Sequence, residues 1–170
     1  MTYLWILNGT ASDFTSPIED FVRTYLSARW ILTDPSLSTN PPADFATKVR
    51  LGDWDYDGFS TYYIKIKEQT TTFDNDFIGT GLFGFTTPIL FELTARRLTY
   101  GQSYQQLNNM RLEVIRIIGQ FKPDDIPGIP DIHITDPGDA PEESTTTAGQ
   151  VVWVAKVTAT LTYFKSYTEV

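Results

Sequence analysis

Residues 88–121, PILFELTARRLTYGQSYQQLNNMRLEVIRIIGQF, carry a strand, a turn and a helix in immediate succession. Ile89, Phe91, Leu93 and Ala95 alternate with Leu90, Glu92, Thr94 and Arg96, the period of two that makes one face of a strand apolar. Leu98 and Tyr100 continue the run past Arg96-Arg97, a break in the alternation that fits a bulge or a change of face. Gly101 ends it. Ser103-Tyr-Gln-Gln106 then has the form of a capping box, in which the serine hydroxyl and the Gln106 side chain satisfy each other's backbone N–H groups. Leu107, Met110, Val114, Ile117, Ile118 and Phe121 follow on one helical stripe, and Pro123 forbids continuation. A strand feeding a one-sided helix predicts a helix lying across a sheet.

Outward from this centre, a second helix is written as clearly. Ser16-Pro17-Ile18-Glu19 supplies an N-cap, a proline at the first helical position and a capping-box acid. Ile18, Phe21, Val22, Tyr25 and Leu26 form its apolar face, Trp30 and Ile31 extend it, and Pro35 stops it by Thr33. Tyr3–Leu7 reads as a short buried strand closed by the turn pair Asn8-Gly9, and residues 34–47 as a loop. Val49 and Leu51 begin a strand. Tyr62, Ile64 and Ile66 alternate with Tyr63, Lys65 and Lys67, giving one apolar and one basic, solvent-facing side. Thr70–Gly84 reads as a polar, then glycine-rich loop.

Residues 122–150 change character, with five prolines, many acids and the run Ser144-Thr-Thr-Thr147. They read as a long acidic, proline-rich excursion, with one short strand at Asp131–Thr135. Val151–Tyr163 closes the sequence as a long strand. Apolar residues on both faces of its first half predict a central position in the sheet. The expectation is one α+β domain over residues 1–170. Its antiparallel or mixed β-sheet carries two amphipathic helices packed on one face.

Composition narrows the function classes. The chain has 170 residues, 41% hydrophobic and 14% aromatic, with a formal net charge of −8. That charge opposes binding to nucleic acid, which needs clustered Lys and Arg. No cysteine is present, so thiolate nucleophiles, disulfides and Cys-based zinc sites are excluded. The apolar N-terminus is short and lacks a basic flank, and no segment reaches the length of a membrane span, so a soluble protein is expected.

Three local patterns touch on chemistry. Gly79-Thr-Gly-Leu-Phe-Gly84 fits G-x-G-x-x-G, but a strand pattern follows where a dinucleotide site needs a helix N-terminus, so the stretch reads as a glycine loop. Asp53-Trp-Asp55-Tyr-Asp57-Gly58 reproduces the first half of an EF-hand calcium loop. Position 12, where a bidentate Glu belongs, is Ile64, and a solvated acidic turn is the expected role. Asp53, Asp55 and Asp57 are thus the metal candidates, with no high-affinity calcium expected. His133, the single histidine, sits in Asp131-Ile-His-Ile-Thr135 on the side away from both isoleucines. No G-x-S-x-G elbow accompanies it, so a surface histidine is expected. No catalytic set and no cofactor motif emerges, and the expectation is a protein that is not an enzyme.

The order and length of elements resemble the tail-terminator (tail-completion) proteins of long-tailed bacteriophages. The resemblance is carried by the early helix Ser16–Leu32, the strand Phe91–Tyr100, the helix Ser103–Phe121 and the closing strand Val151–Tyr163. It implies a structural virion protein at the head–tail junction, assembled in the host cytoplasm. Such a protein forms a homo-oligomeric ring, six subunits in the family, on top of the tail tube. Its partners there are the tail tube protein and the head or neck connector, and DNA passes through without specific binding. Ring closure requires a heterologous contact between different patches of neighbouring subunits. Rival readings are another connector or tail tube protein, a calcium-dependent binding module built on Asp53–Asp57, and a small carboxylate hydrolase.

Overall fold

The computed structural model describes residues 17–30, 49–51, 62–74, 82–95, 100–123, 129–145, 149 and 151–166. In chain order these residues form α1 (Pro17–Arg29), β1 (Val49–Leu51), β2 (Tyr62–Glu68), β3 (Thr72–Asp74), β4 (Leu82–Ala95), α2 (Tyr100–Gly119), β5 (Asp131–Asp136), β6 (Glu142–Thr145) and β7 (Val151–Ser166). The strands make a seven-stranded sheet with the path β1-β2-β4-β7-β5, while β3 adds to β4 and β6 to β7. β1 runs parallel to β2 and the other pairings are antiparallel, so the sheet is mixed.

The backbone of the sheet is the β4–β7 ladder, in register from Leu82↔Ser166 to Ala95↔Trp153. Each long strand is flanked by two short ones placed end to end. β3 and β2 share the outer edge of β4, and β5 and β6 share the outer edge of β7. Because side chains alternate, the register stacks the apolar positions in rows across one face. Ile64, Leu93 and Ala155 form one row, and Ile66, Phe91 and Val157 the next. Ile89, Ala159 and Ile134 form a third. Both helices pack on this face. Ile18, Phe21, Val22, Tyr25 and Leu26 from α1 and Leu107, Met110, Val114, Ile117 and Ile118 from α2 join the sheet rows in one core. Ile64, Ile66, Phe91, Leu93, Val114 and Ile117 are fully buried, each contributing about 1.5–3 kcal/mol relative to exposure. The α+β architecture with two helices on one face is therefore as the periodicity predicts.

Polar contacts lock the two layers. The Glu68 N–H donates to Glu19 Oε1 at 2.8 Å, so an acid in the first turn of α1 reaches the end of β2, while Ser16, the expected cap, lies outside the described residues. Arg116 of α2 donates from Nη2 to the Arg29 carbonyl at 2.8 Å, satisfying a carbonyl of the last turn of α1. Its guanidinium is gripped by Glu113 through Nη2–Oε1 at 2.7 Å and Nε–Oε2 at 2.9 Å.

Several boundaries differ from the sequence expectation. The central strand runs Leu82–Ala95 instead of starting after Pro88 and reaching Tyr100. Pro88 is tolerated because its carbonyl accepts from the Gln69 N–H at 2.9 Å. Its nitrogen therefore points the same way, toward the junction between β2 and β3, and the ladder to β7 loses no donor. Thr70–Gly84 is not all loop, since β3 and the first residues of β4 lie in it. α2 starts at Tyr100, which places Ser103 inside the helix and not at its cap. A cap is worth about 1 kcal/mol, less than the packing of the first turns, where the Tyr104 ring meets Trp153 edge-on at 6.4 Å. α1 ends at Arg29, short of Thr33. The excursion 122–150 holds two strands, β5 and β6, not one. Tyr3–Leu7, Asn8-Gly9, the loop 34–47 and Leu98 lie outside the described residues.

Candidate interaction surface

The face of the sheet turned away from the helices is the broadest functional candidate. In β7 the residues between the core positions are the buried Val154 and then Lys156, Thr158, Thr160 and Thr162. The register sets Thr162 beside Thr86 and Asp131, Thr160 beside Pro88 and His133, and Lys156 beside Glu92, which is itself beside Lys65. The result is a hydroxyl-rich surface. Thr160 Oγ1 donates to Thr135 Oγ1 and Thr135 Oγ1 to the Thr158 carbonyl, both at 3.3 Å. Glu92 is flanked by Lys65 Nζ at 4.0 Å and Lys156 Nζ at 3.8 Å, on opposite carboxylate oxygens. These cations face a carboxylate, which weakens them as phosphate ligands. Lys65, expected on a solvent-open side, is in fact buried, with its ammonium directed to Glu92.

At the β5–β6 edge the chain turns sharply. β5 has a register irregularity between Ile134 and Asp136, and Asp136 Oδ1 then accepts the Gly138 N–H at 2.8 Å, an Asx-type turn. Gly138 has φ +74° and lies against the carbonyl of Lys156. Arg111, projecting from α2, donates from Nη1 to the carbonyls of Pro137 at 3.3 Å, Gly138 at 2.8 Å and Asp139 at 3.3 Å, and from Nη2 to Asn108 Oδ1 at 3.1 Å. Beside this turn is a cleft of about 300 Å³ lined by Glu92, Asp136, Asp139, Glu142, Glu143 and Lys156 among others. Its acids and its lysine are exposed or half-exposed.

At the other end of the β4–β7 ladder an aromatic row crosses the helix side of the sheet. Phe73 meets Phe85 at 5.6 Å, and Phe85 stacks on Tyr163 at 5.3 Å with an interplanar angle of 16°. Phe73 is 43% exposed, one of the few large apolar side chains so exposed among the described residues. Next to it Thr71 and Thr87 share a hydrogen bond of 2.7 Å, close to the Tyr163 hydroxyl. Burial holds the Tyr163 hydroxyl above its ordinary pKa, and the nearby Glu68 carboxylate pushes the same way, against the opposing pull of the Thr87 and Thr71 hydroxyls.

The residues singled out by sequence fall as follows. His133 is exposed on the hydroxyl-rich face, with Nδ1 against Asp131 Oδ2. Ile132 is buried behind it, as the alternation predicts. Asp53, Asp55 and Asp57 lie outside the described residues, as do Gly79 and Gly81. Gly84 is not in a loop but within β4, paired with Asp74 and Phe164, and the strand continues where a dinucleotide fold would need a helix. Among the described residues no three or more His, Asp or Glu side chains are grouped to hold a metal ion. No helix among them is long and apolar enough to cross a membrane. Sequence reading missed Arg111, Gly138 and the Phe73–Phe85–Tyr163 row. The spacing of Phe73 from its partners in sequence gives no local sign of the contact, whereas Asp-Pro-Gly at 136–138 is a turn signal that could have marked the sharp bend. No protein-family model matches the chain, and a search of curated proteins finds no match either.

Proposed function

We propose that this chain is a structural virion protein of the tail-terminator kind, a ring-forming subunit that ends the tail tube and docks the head or neck. The observation that carries the reading is the helix-free face of the β4–β7 sheet. It is lined by Thr86, Thr158, Thr160 and Thr162, and of its lysines the buried Lys65 and the exposed Lys156 flank Glu92, while Lys67 stands one row on beside Leu90. Such a surface suits a wall that DNA slides past, since its threonines hydrate well and two of its lysines already face a carboxylate. The net charge of −8 acts in the same direction. The aromatic row ending in Phe73, at the far end of the ladder, is the kind of amphipathic surface that subunit contacts use.

The proposed partners are further copies of this chain, six in the ring as the family resemblance implies, together with the tail tube protein below and the connector above. Imaging of the assembled particle tests this. The expected result is rotationally symmetric density for this chain at the head–tail junction, with the threonine-lined face toward the axis. Density along the whole tube would reassign it as a tube protein. Absence from the particle, or an arrangement without rotational symmetry, would overturn the reading.

A further inference from the structure

We infer that residues 137–145 form a strap on the edge of β7, latched by Arg111, that opens as a unit while the rest of the sheet stays closed. The two strands on this edge are held very differently. β5 buries Ile132 in the core and packs Ile134 against it. β6 buries nothing, with all four of its residues exposed. Its ladder runs only from Glu142↔Val154 to Thr145↔Val151, and β7 is the one element it meets substantially. A short strand without core contacts, paired on one side, sits at the low end of local stability.

Between β5 and β6, Arg111 of α2 reaches across to the strap. Arg111 gathers the carbonyls of Pro137, Gly138 and Asp139 on its Nη1, while Asn108 steadies Nη2. Its Nε is shielded and has no partner among the described residues, so the hold is made by the terminal nitrogens alone. These are hydrogen bonds from a charged donor, stronger than neutral ones. They address backbone oxygens, so they fix the path of the turn whatever its side chains. Gly138 closes the turn against the Lys156 carbonyl. Release of the guanidinium frees the turn, leaving the buried Pro141 and the four-residue ladder to β7 to hold β6. The backbone groups of β7 from Val151 to Val154 on that side then become an open edge able to pair with another strand. The device rests on these contacts and stands independently of the virion reading.

Hydrogen exchange on the whole chain, followed by mass spectrometry, tests the latch. In the unaltered protein, amides of 142–145 are expected to exchange at least about tenfold faster than those of 132–134. Arg111→Ala is expected to speed exchange across 138–145 by about tenfold or more, as loss of charge-assisted hydrogen bonds implies, with 157–161 unchanged. Arg111→Lys keeps the charge and loses the fork, and is expected to follow the alanine variant. Unchanged exchange in the strap, an even rise over the whole sheet, loss of the fold, or wild-type behaviour of Arg111→Lys would each overturn the proposal.

Discussion

The carbonyl oxygen of Lys156 occupies the space that a side chain on residue 138 would need: a Cβ built on Gly138 would lie 1.7 Å from it. Gly138 also has φ +74°, which L side chains rarely adopt. Two independent constraints therefore demand glycine at the bend that brings β6 back to β7. Gly138→Ala is expected to cost about 1–3 kcal/mol, seen as a lower urea midpoint. A wild-type midpoint would show that the bend does not approach β7 so closely.

Ile117 is fully buried in the core between α2 and the sheet. Ile117→Asp places an unpaired carboxylate there and should abolish folding, since the penalty rivals the whole stability of a domain. Ile117→Val should cost only about 1 kcal/mol. Thermal melting of both variants checks the packing, and a wild-type-like melt for the aspartate variant would refute it.

Arg116 joins α2 to the end of α1 through the Arg29 carbonyl, held in place by Glu113. The carboxylate also raises the arginine pKa, chiefly by hydrogen bonding, so the guanidinium stays charged. A double-mutant cycle over Arg116→Ala and Glu113→Ala is expected to give a coupling of about 1–2 kcal/mol. Additive single effects would mean that the two side chains act separately.

Tyr163 gives the protein an alkaline limb. Burial raises its pKa in the folded state above the ordinary value, which is near 10. Its contribution to stability is thus fully present below that value and is lost as pH rises through the higher folded pKa. The stability difference between the unaltered protein and Tyr163→Phe should therefore shrink above about pH 10. Chemical denaturation at a series of alkaline pH values measures it, and a difference independent of pH would remove Tyr163 from the cause.

Ile89, Phe91 and Leu93, and likewise Val157, Ala159 and Leu161, advertise their buried face without knowledge of any partner, because a strand repeats every two residues. The helix stripes through Val22 and Val114 do the same at their own period. These patterns sufficed for an α+β fold with both helices on one face. Ser103 shows the limit of local signals. Its capping box is well formed in sequence, yet the helix begins at Tyr100, since tertiary packing outweighs a single cap.

Position across the sheet was decided only by the assembled chain. The exposed strand Glu142–Thr145 has no apolar alternation, so nothing local marks it; it exists because β7 offers an edge in the right register. Phe73, Phe85 and Tyr163 become neighbours through pairing over long sequence separations. Arg111 looks like an ordinary polar position of an amphipathic helix until β5 and its turn bring three carbonyls to it. Periodicity fixes which side of an element is buried, because that depends on the residue's own backbone. Which groups meet at an edge or a turn depends on the whole chain's register, and one sequence carries no local record of that.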